Sequence, residues 1–407
     1  MVSDSLPVTI ADVEAAAAAL ARVVVRTPCA ESQTLSAITG TRVWCKLEGF
    51  QYTASFKERG ARWFLDQLDA GARSRGVVAA SAGNHAQGVA HHAALLGIPA
   101  TIVMPHGTPF TKVSRTEVLG ARVVVEGDGF HDARAHAITL AAESGATFVP
   151  AFDDPHVIAG QGTVALEILE QAPELDTLVV PVGGGGLLAG CAVAVQARRP
   201  DVRVVGVQVD RYAGLAHALA LGDAAAPSGG MTIAEGIAVV EPGALTTAIA
   251  RQLVDDIVVV TEDDVERAVG LYLDIEKVVV EGAGAASLAA LLAHPELFAG
   301  HNCVLVASGA NIDPRVLSSV LLRSLARNGR LVRLRMEVPD RPGALANVAS
   351  LIGAAGGNIV DVDHHRDRLG VPLREAVLEV SVETRDTDHA ARIRRDLEAN
   401  GFRQADA

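Results

Sequence analysis

The chain has 407 residues, 49% of them hydrophobic and 20% charged, with 39 Gly beside 17 Pro. That is enough for two or three domains with full cores, and too apolar for a disordered chain. Acidic residues outnumber basic ones 48 to 35, a formal charge of -13, which argues against a nucleic-acid partner and for a small molecule. No apolar run approaches the ~20 residues of a membrane span. The N-terminal MVSDSLPVTI carries neither a basic nor a greasy leader, so a cytoplasmic protein with no membrane partner is expected. Cys29, Cys45, Cys191 and Cys303 are scattered without a Cys-x-x-Cys pair, which predicts reduced, mostly buried thiols and no zinc site.

From Thr9 to about Arg330, short β-branched runs alternate with alanine- and leucine-rich stretches of helical length, the rhythm of a parallel α/β sheet. The expected strands are Val43 to Leu47, Gly76 to Ala80, Ala100 to Met104, Arg122 to Val125, Thr177 to Val182, Arg203 to Val209, Ile257 to Thr261 and Cys303 to Ala307. All are apolar throughout, as strands covered on both faces should be. Thr9 with Asp12 resembles a capping box, and Ser55 precedes the helical run FKERGARWFLDQL. Beyond residue 330 the pattern becomes strand (Leu331 to Val338), turn (PDRPG), helix (Ala344 to Ala355), strand (Asn358 to His365), strand (Leu373 to Glu383) and helix (Thr387 to Asn400). That order predicts a ferredoxin-like α+β module, with the junction at Ala326 to Arg330. The expected domains are therefore 1–328 and 329–407, with a smaller subdomain of roughly 43–150 inserted in the first.

Four motifs carry chemistry. In VVPVGGGGLLAG a buried strand ends at Val182 and Gly183, Gly184, Gly185 and Gly186 lead into a helix, an arrangement that aims backbone N–H groups and a positive helix end at a phosphate. No Gly-Lys-Ser/Thr follows, so it is not a P-loop. Gly184, Gly186 and Ala189 also fit G-x-G-x-x-A, with Asp210 after the next strand, which keeps a dinucleotide-dependent oxidoreductase as a rival. In SFKERGA, Lys57 lies within a turn of a helix start, where the dipole disfavours the ammonium and suits a Schiff-base amine; a solvated charge beside Glu58 and Arg59 is the plainer reading. In AASAGNHAQGVA, Ser81, Ala82, Gly83, Asn84 and His85 stand between a strand and a helix, a seat for a carboxylate or phenolate oxygen. In VASGANID, Ser308 ends another buried strand. Ligands bind at the carboxyl ends of strands in open parallel sheets, so the motifs converge on one site.

With SFK, SAGNH, GGGGL and SGAN in this order and at these intervals, residues 5 to 325 resemble the fold type II pyridoxal phosphate enzymes, specifically the threonine dehydratases or threonine ammonia-lyases. The tail, with VPDRPGALANVASLIGAAGGNIVDVDH, resembles an ACT regulatory domain. The resemblance implies two open, mostly parallel α/β subdomains and β-elimination of L-threonine, and of L-serine, to a 2-oxo acid and ammonia. It makes Lys57 the Schiff-base lysine and general base, flanked by Phe56, and Gly183 to Gly186 with Leu187 the phosphate cradle. Asn84 would meet the cofactor's ring oxygen, Ser308 the ring nitrogen, and Ser81 to His85 the substrate carboxylate; Glu281, in VVVEGAGA, also matches the family. Where related racemases carry an acid/base serine this chain has Ala82, and where they bind a divalent cation it has Gln208, with Asp210 two residues on; a monovalent cation is left open. Serine or hydroxyaspartate dehydratases and racemases are the near alternatives, and an amino-acid sensor is the non-catalytic one.

In the tail, Arg341, Pro342, Gly343, Ala344 and Leu345 form a turn that opens a helix and could seat an amino-acid carboxylate, with Asn358 completing the effector site from a paired module. A homo-oligomer, dimer or tetramer, is expected. His91 and His92 lie one residue apart in a helix and are read as solvated, and His364 and His365, on opposite sides of a strand, as interface residues. Trp44 and Trp63 are read as core.

Overall fold

The apolar runs assemble into sheets in a computed structural model, which describes residues 6–220, 226–366 and 374–404. The chain divides into two compact units, Met1–Asp313 and Pro314–Ala407. The first unit holds two sheets. The larger has the strand order Cys29–Ser32, Arg42–Leu47, Asn302–Ala307, Thr177–Pro181, Arg203–Val209 and Asp256–Val260, parallel except for the first pair. The smaller runs Arg122–Val125, Ala100–Met104, Val77–Ala80 and Thr147–Phe148, all parallel.

Central strands such as Val77–Ala80 and Thr177–Pro181 are buried at every residue, which is why they read as unbroken apolar runs. Arg122–Val125 departs from that expectation: it is an edge strand with no fully buried residue. Arg42–Leu47 pairs in register with Asn302–Ala307, so this strand belongs to the larger sheet and the smaller subdomain begins after it, later than the expected residue 43. Val43 and Cys45 in this strand are both buried. Thr9 and Asp12 close the capping box, the Asp12 carboxylate accepting from Thr9 N at 2.8 Å and Thr9 Oγ1 at 2.7 Å. Cys45, Cys191 and Cys303 are buried free thiols, Cys29 a half-buried one, and Trp44 and Trp63 pack against the main core.

The second unit starts with the helix Pro314–Arg327, ahead of the junction drawn from the sequence. An antiparallel sheet follows in the order Asn358–His365, Glu375–Glu383, Leu331–Pro339 and Arg403–Gln404, with helices Ala344–Ala354 and Thr387–Ala399. Strand Leu331–Pro339 alternates strictly, burying Val332, Leu334, Met336 and Val338 against Val348, Ile352 and Ile393. The expected start of the third strand, Leu373, lies outside the described residues. Among the described residues no helix is long and apolar enough to cross a membrane.

Candidate active site

The carboxyl ends of Val77–Ala80, Thr177–Pro181 and Asn302–Ala307 each run directly into one of the sequence motifs. Lys57 opens the helix Lys57–Asp66, and the loop before it is stitched to the end of Asn302–Ala307: Phe56 N donates to Ser308 O at 3.1 Å and Ser55 pairs with Gly309. Ser55 does not cap this helix as expected. Phe56 takes the capping position, and Ser55 Oγ is buried with no partner among the described residues. Ala54 stands in the left-handed region at φ 56°, held by Ala54 N donating to Gln51 O and Ala310 N donating to Ala54 O, both at 2.9 Å. Lys57 Nζ donates to the Ala151 carbonyl at 2.8 Å. Burial brings its pKa down to about 8, against the opposing pull of Glu281, so the neutral amine is within reach near neutral pH.

Gly185 has φ 94°, open to glycine, and Gly186 begins the helix Gly186–Arg198. A Cβ on Gly184 would lie 2.4 Å from the Phe152 ring, and one on Gly185 2.8 Å from Thr246 Cβ, so only glycines let Phe152 and Thr246 close on this loop. Thr246 Oγ1 donates to Gly184 O at 2.7 Å. No protein group among the described residues accepts from the N–H of Gly184, Gly185 or Gly186. Unpaired N–H groups at the positive end of a 13-residue helix are what an anionic phosphate requires. Leu187 is buried behind them.

Asn84 opens the helix Asn84–Leu95, with Gly83 at its cap. Its Nδ2 donates to Glu281 Oε1 at 2.6 Å and its Oδ1 accepts from Asn311 Nδ2 at 2.7 Å. Ser81 Oγ accepts from Gly83 N at 3.1 Å, turning the loop back on itself. Buried His85 shares Nε2 with the Val149 carbonyl at 3.1 Å, and burial, with Lys57 nearby, drives its pKa down to about 3, so it is a neutral donor. Ser308 is 3% exposed. Glu281 caps the helix Gly282–Ala293 and is pushed up to about 7, chiefly by burial. Gly309 is forced by Glu281, whose Oε1 would lie 2.3 Å from a Cβ there. Contacts link the motifs in pairs: Phe56 to Ser308, Asn84 to Glu281 and Glu281 to Gly309, while Lys57 and Gly184 meet the adjacent residues Ala151 and Phe152.

Four contributors escaped the sequence reading. Ala151 and Phe152 lie in VPAFDD, whose only local mark is a pair of aspartates. Thr246 sits in a helix with no motif. Asn311 was visible in SGAN, yet its role depends on Asn84, far away in sequence. The histidine reading is corrected: His92 is wholly buried and its Nε2 lies 3.2 Å from Glu58 Oε2, because the helix Asn84–Leu95 is packed on nearly all sides, while His91 is half-buried and stacks on Tyr52 at 4.2 Å. Glu58 and Arg59 are likewise buried rather than solvated. Gln208 is buried, donating to Tyr212 O at 3.0 Å and accepting from Ala216 N at 2.9 Å, and exposed Asp210 turns its carboxylate to Arg211 N. In the second unit, Arg341, Pro342 and Gly343 are exposed, Gly343 caps the helix Ala344–Ala354 at φ 90°, Ala344 is buried and Leu345 exposed. Asn358 Nδ2 donates to Glu383 Oε2 at 3.1 Å.

These features define a cofactor-dependent α/β enzyme with a small regulatory module, and the comparisons identify the family. A family model described as pyridoxal-phosphate dependent enzyme matches residues 20–309 and an ACT domain model matches residues 332–401, so the chain belongs to the pyridoxal-phosphate dependent enzymes and carries an ACT domain. It is similar to an L-threonine ammonia-lyase of Thermotoga maritima, 43% identical over 97% of this chain and 98% of that one. Among solved structures it resembles the processed form of threonine deaminase isoform 2 from Solanum lycopersicum, with 36% identity and a TM-score of 0.72 over 76% of this chain and 91% of that one. Maize serine racemase is similar too, with 34% identity and a TM-score of 0.73 over 79% and 98%. The dinucleotide-dependent reading of GGGGLLA is thereby set aside: here the glycines open a pyridoxal-phosphate family fold.

Proposed function

We propose that the chain is a threonine ammonia-lyase that converts L-threonine to 2-oxobutanoate and ammonia, and L-serine to pyruvate and ammonia. The observation that carries the reading is the Lys57 amine, desolvated to a pKa of about 8 beside a glycine loop with unpaired N–H groups. The residues fit the cofactor: Gly183 to Gly186 and Leu187 would hold its phosphate, Asn84 its ring oxygen, Ser308 its ring nitrogen and Lys57 its carbonyl carbon. Bound pyridoxal phosphate supplies an electron sink for cleavage at the substrate's α-carbon.

The chain's own groups then divide the remaining work. The loop Ser81 to His85 would receive the substrate carboxylate on the N–H groups at the start of Asn84–Leu95, with neutral His85 adding no competing charge. Lys57 Nζ takes the α-proton as general base, its neutral form favoured by burial. The β-hydroxyl departs with a proton as water, and a water molecule then hydrolyses the resulting enamine, placing its oxygen on the α-carbon as the 2-oxo group and releasing the amine as ammonia. Ser308 presents a neutral hydroxyl, which would not hold the ring nitrogen protonated as a carboxylate would, and so would favour loss of the β-group over racemisation or transamination. Ala82 has only a methyl group to offer on the opposite face, which supports elimination over racemisation. Turnover of threonine without an added nucleophile tests the reaction class. Lys57→Ala is expected to abolish both turnover and the cofactor's visible absorbance, and a mutant that kept the band would refute the assignment of Lys57.

The tail fits an amino-acid effector such as isoleucine or valine at Arg341 to Leu345 and Asn358. A cytoplasmic homo-oligomer, dimer or tetramer, and a monovalent cation as further cofactor belong to the same proposal. Serine racemisation is the second reading, favoured by the likeness to the maize structure and opposed by Ala82.

A further inference from the structure

Asn311 sits three residues beyond Ser308 with every polar atom of its side chain engaged. Its Nδ2 donates to Asn84 Oδ1 and to the Thr53 carbonyl, both at 2.7 Å, and its Oδ1 accepts from Arg115 Nη1 at 3.2 Å. Both donors meet oxygens that only accept, and the oxygen meets a guanidinium that only donates, so a single flip of this amide satisfies all three. Asn84 inherits that constraint. Its oxygen is committed to Asn311 and one N–H to Glu281 at 2.6 Å, which leaves one N–H of the amide unspent. Without Asn311, the two ends of the Asn84 amide, nearly identical in shape, would compete for the Glu281 side of the site.

We propose that Asn311 is a positioning residue of the cofactor site: by donating to Asn84 Oδ1 it fixes the flip of the Asn84 amide and reserves that amide's remaining N–H for the cofactor's ring oxygen. The proposal rests on the reading of Asn84 given above. Its far end lies in the smaller subdomain, because Arg115 is on the helix Phe110–Val118, whose Lys112 also reaches across to pair with Glu235. A merely structural Asn311 would tie Thr53 to the loop and affect stability without touching the cofactor's electronic environment.

The test uses the holoenzyme and compares Asn84→Ala, Asn311→Asp and the double variant by visible absorption maximum and cofactor dissociation constant. Asp keeps the shape and the bond to Arg115 but cannot donate, when ionised, to Asn84 or Thr53. Asn84→Ala is expected to displace the band and weaken cofactor binding about 3- to 10-fold, the worth of one neutral hydrogen bond. Asn311→Asp should displace the band in the same direction, and the double variant should go no further than Asn84→Ala, since both changes act through one bond. A band at the wild-type position in Asn311→Asp, or shifts that add in the double variant, overturns the proposal. If Asn84→Ala itself leaves the band unmoved, the assignment of Asn84 fails and the proposal falls with it. Should Asn311→Asp not yield folded holoenzyme, Arg115→Met, at the exposed end of the chain of bonds, takes its place: a smaller displacement in the same direction supports the proposal and an unmoved band overturns it.

Discussion

Glu281 is a buried carboxyl that accepts from the Asn84 amide and the Asn311 backbone, and its raised pKa of about 7 is set mainly by burial. Because the folded chain holds this proton more tightly than the unfolded one, its contribution to stability is complete below pH ~4.5 and is lost as pH rises through about 7. In the cofactor-free protein Glu281→Gln should therefore flatten the decline in stability between those values, a difference on the order of 3 kcal/mol at full deprotonation. Denaturant unfolding at a series of pH values reads it; parallel profiles for both proteins would show that Glu281 is ionised throughout. Lys57 obeys the opposite sign, its lowered pKa of about 8 adding stability as pH rises above that value. Lys57 and Asn84 were legible because their motifs state their chemistry locally. Glu281 and Asn311 were quoted within motifs but without roles, since what they do is decided by a partner some two hundred residues away, Asn84. His92, Glu58 and Arg59 look like solvated charges in one dimension and are paired and buried in three.

Among the secondary-structure elements, those buried on both sides announced themselves and those at edges did not. Cys29–Ser32, with the polar sequence CAES, lies antiparallel at the rim of the larger sheet and has a single buried residue. The lysine helix is anchored by a group of buried charges that no periodicity reveals: Arg59 donates to Glu48 at 2.8 Å and to Glu167 at 2.7 Å, while Lys46 Nζ lies 2.5 Å from Glu167. Charges so placed are costly to separate, which fixes where this helix starts and hence where Lys57 points. The helix Ala244–Leu253 depends on Asp153, whose carboxylate accepts from Ala244 N at 3.0 Å, Leu245 N at 2.9 Å and Thr246 N at 3.2 Å. Asp153→Ala should cost about 1–2 kcal/mol as a lost cap. Thr246 also grips Gly184, so the same change should weaken cofactor retention. Thermal unfolding of the cofactor-free protein together with a cofactor titration tests both; a loss of stability with unchanged affinity would separate the helix from the loop.

The whole molecule joins a catalytic unit to an ACT domain, and regulation requires that an effector favour one of two states of the enzyme. Removing residues 314–407, the entire second unit, is expected to abolish an amino-acid response of ~5–150-fold in substrate affinity while leaving turnover in place. Titrating isoleucine and valine against intact and truncated protein decides it, and identical curves would make the tail an assembly element. The fold of both units could be read from periodicity and motif order, whereas the junction could not: the helix Pro314–Arg327 buries only Val320 and has no compositional break to announce which unit it joins. The stretch Val149 to Asp154 has a consequence for how such a molecule can change over generations. Within six residues the Val149 carbonyl meets His85, the Ala151 carbonyl meets Lys57, Phe152 covers Gly184, Asp153 caps Ala244–Leu253 and Asp154 caps Pro155–Gln171. Each task falls on a fixed residue, so gaining or losing one amino acid would move several partners out of reach together. Length variation must accumulate elsewhere, and this stretch serves as a ruler against which the catalytic unit keeps its measure.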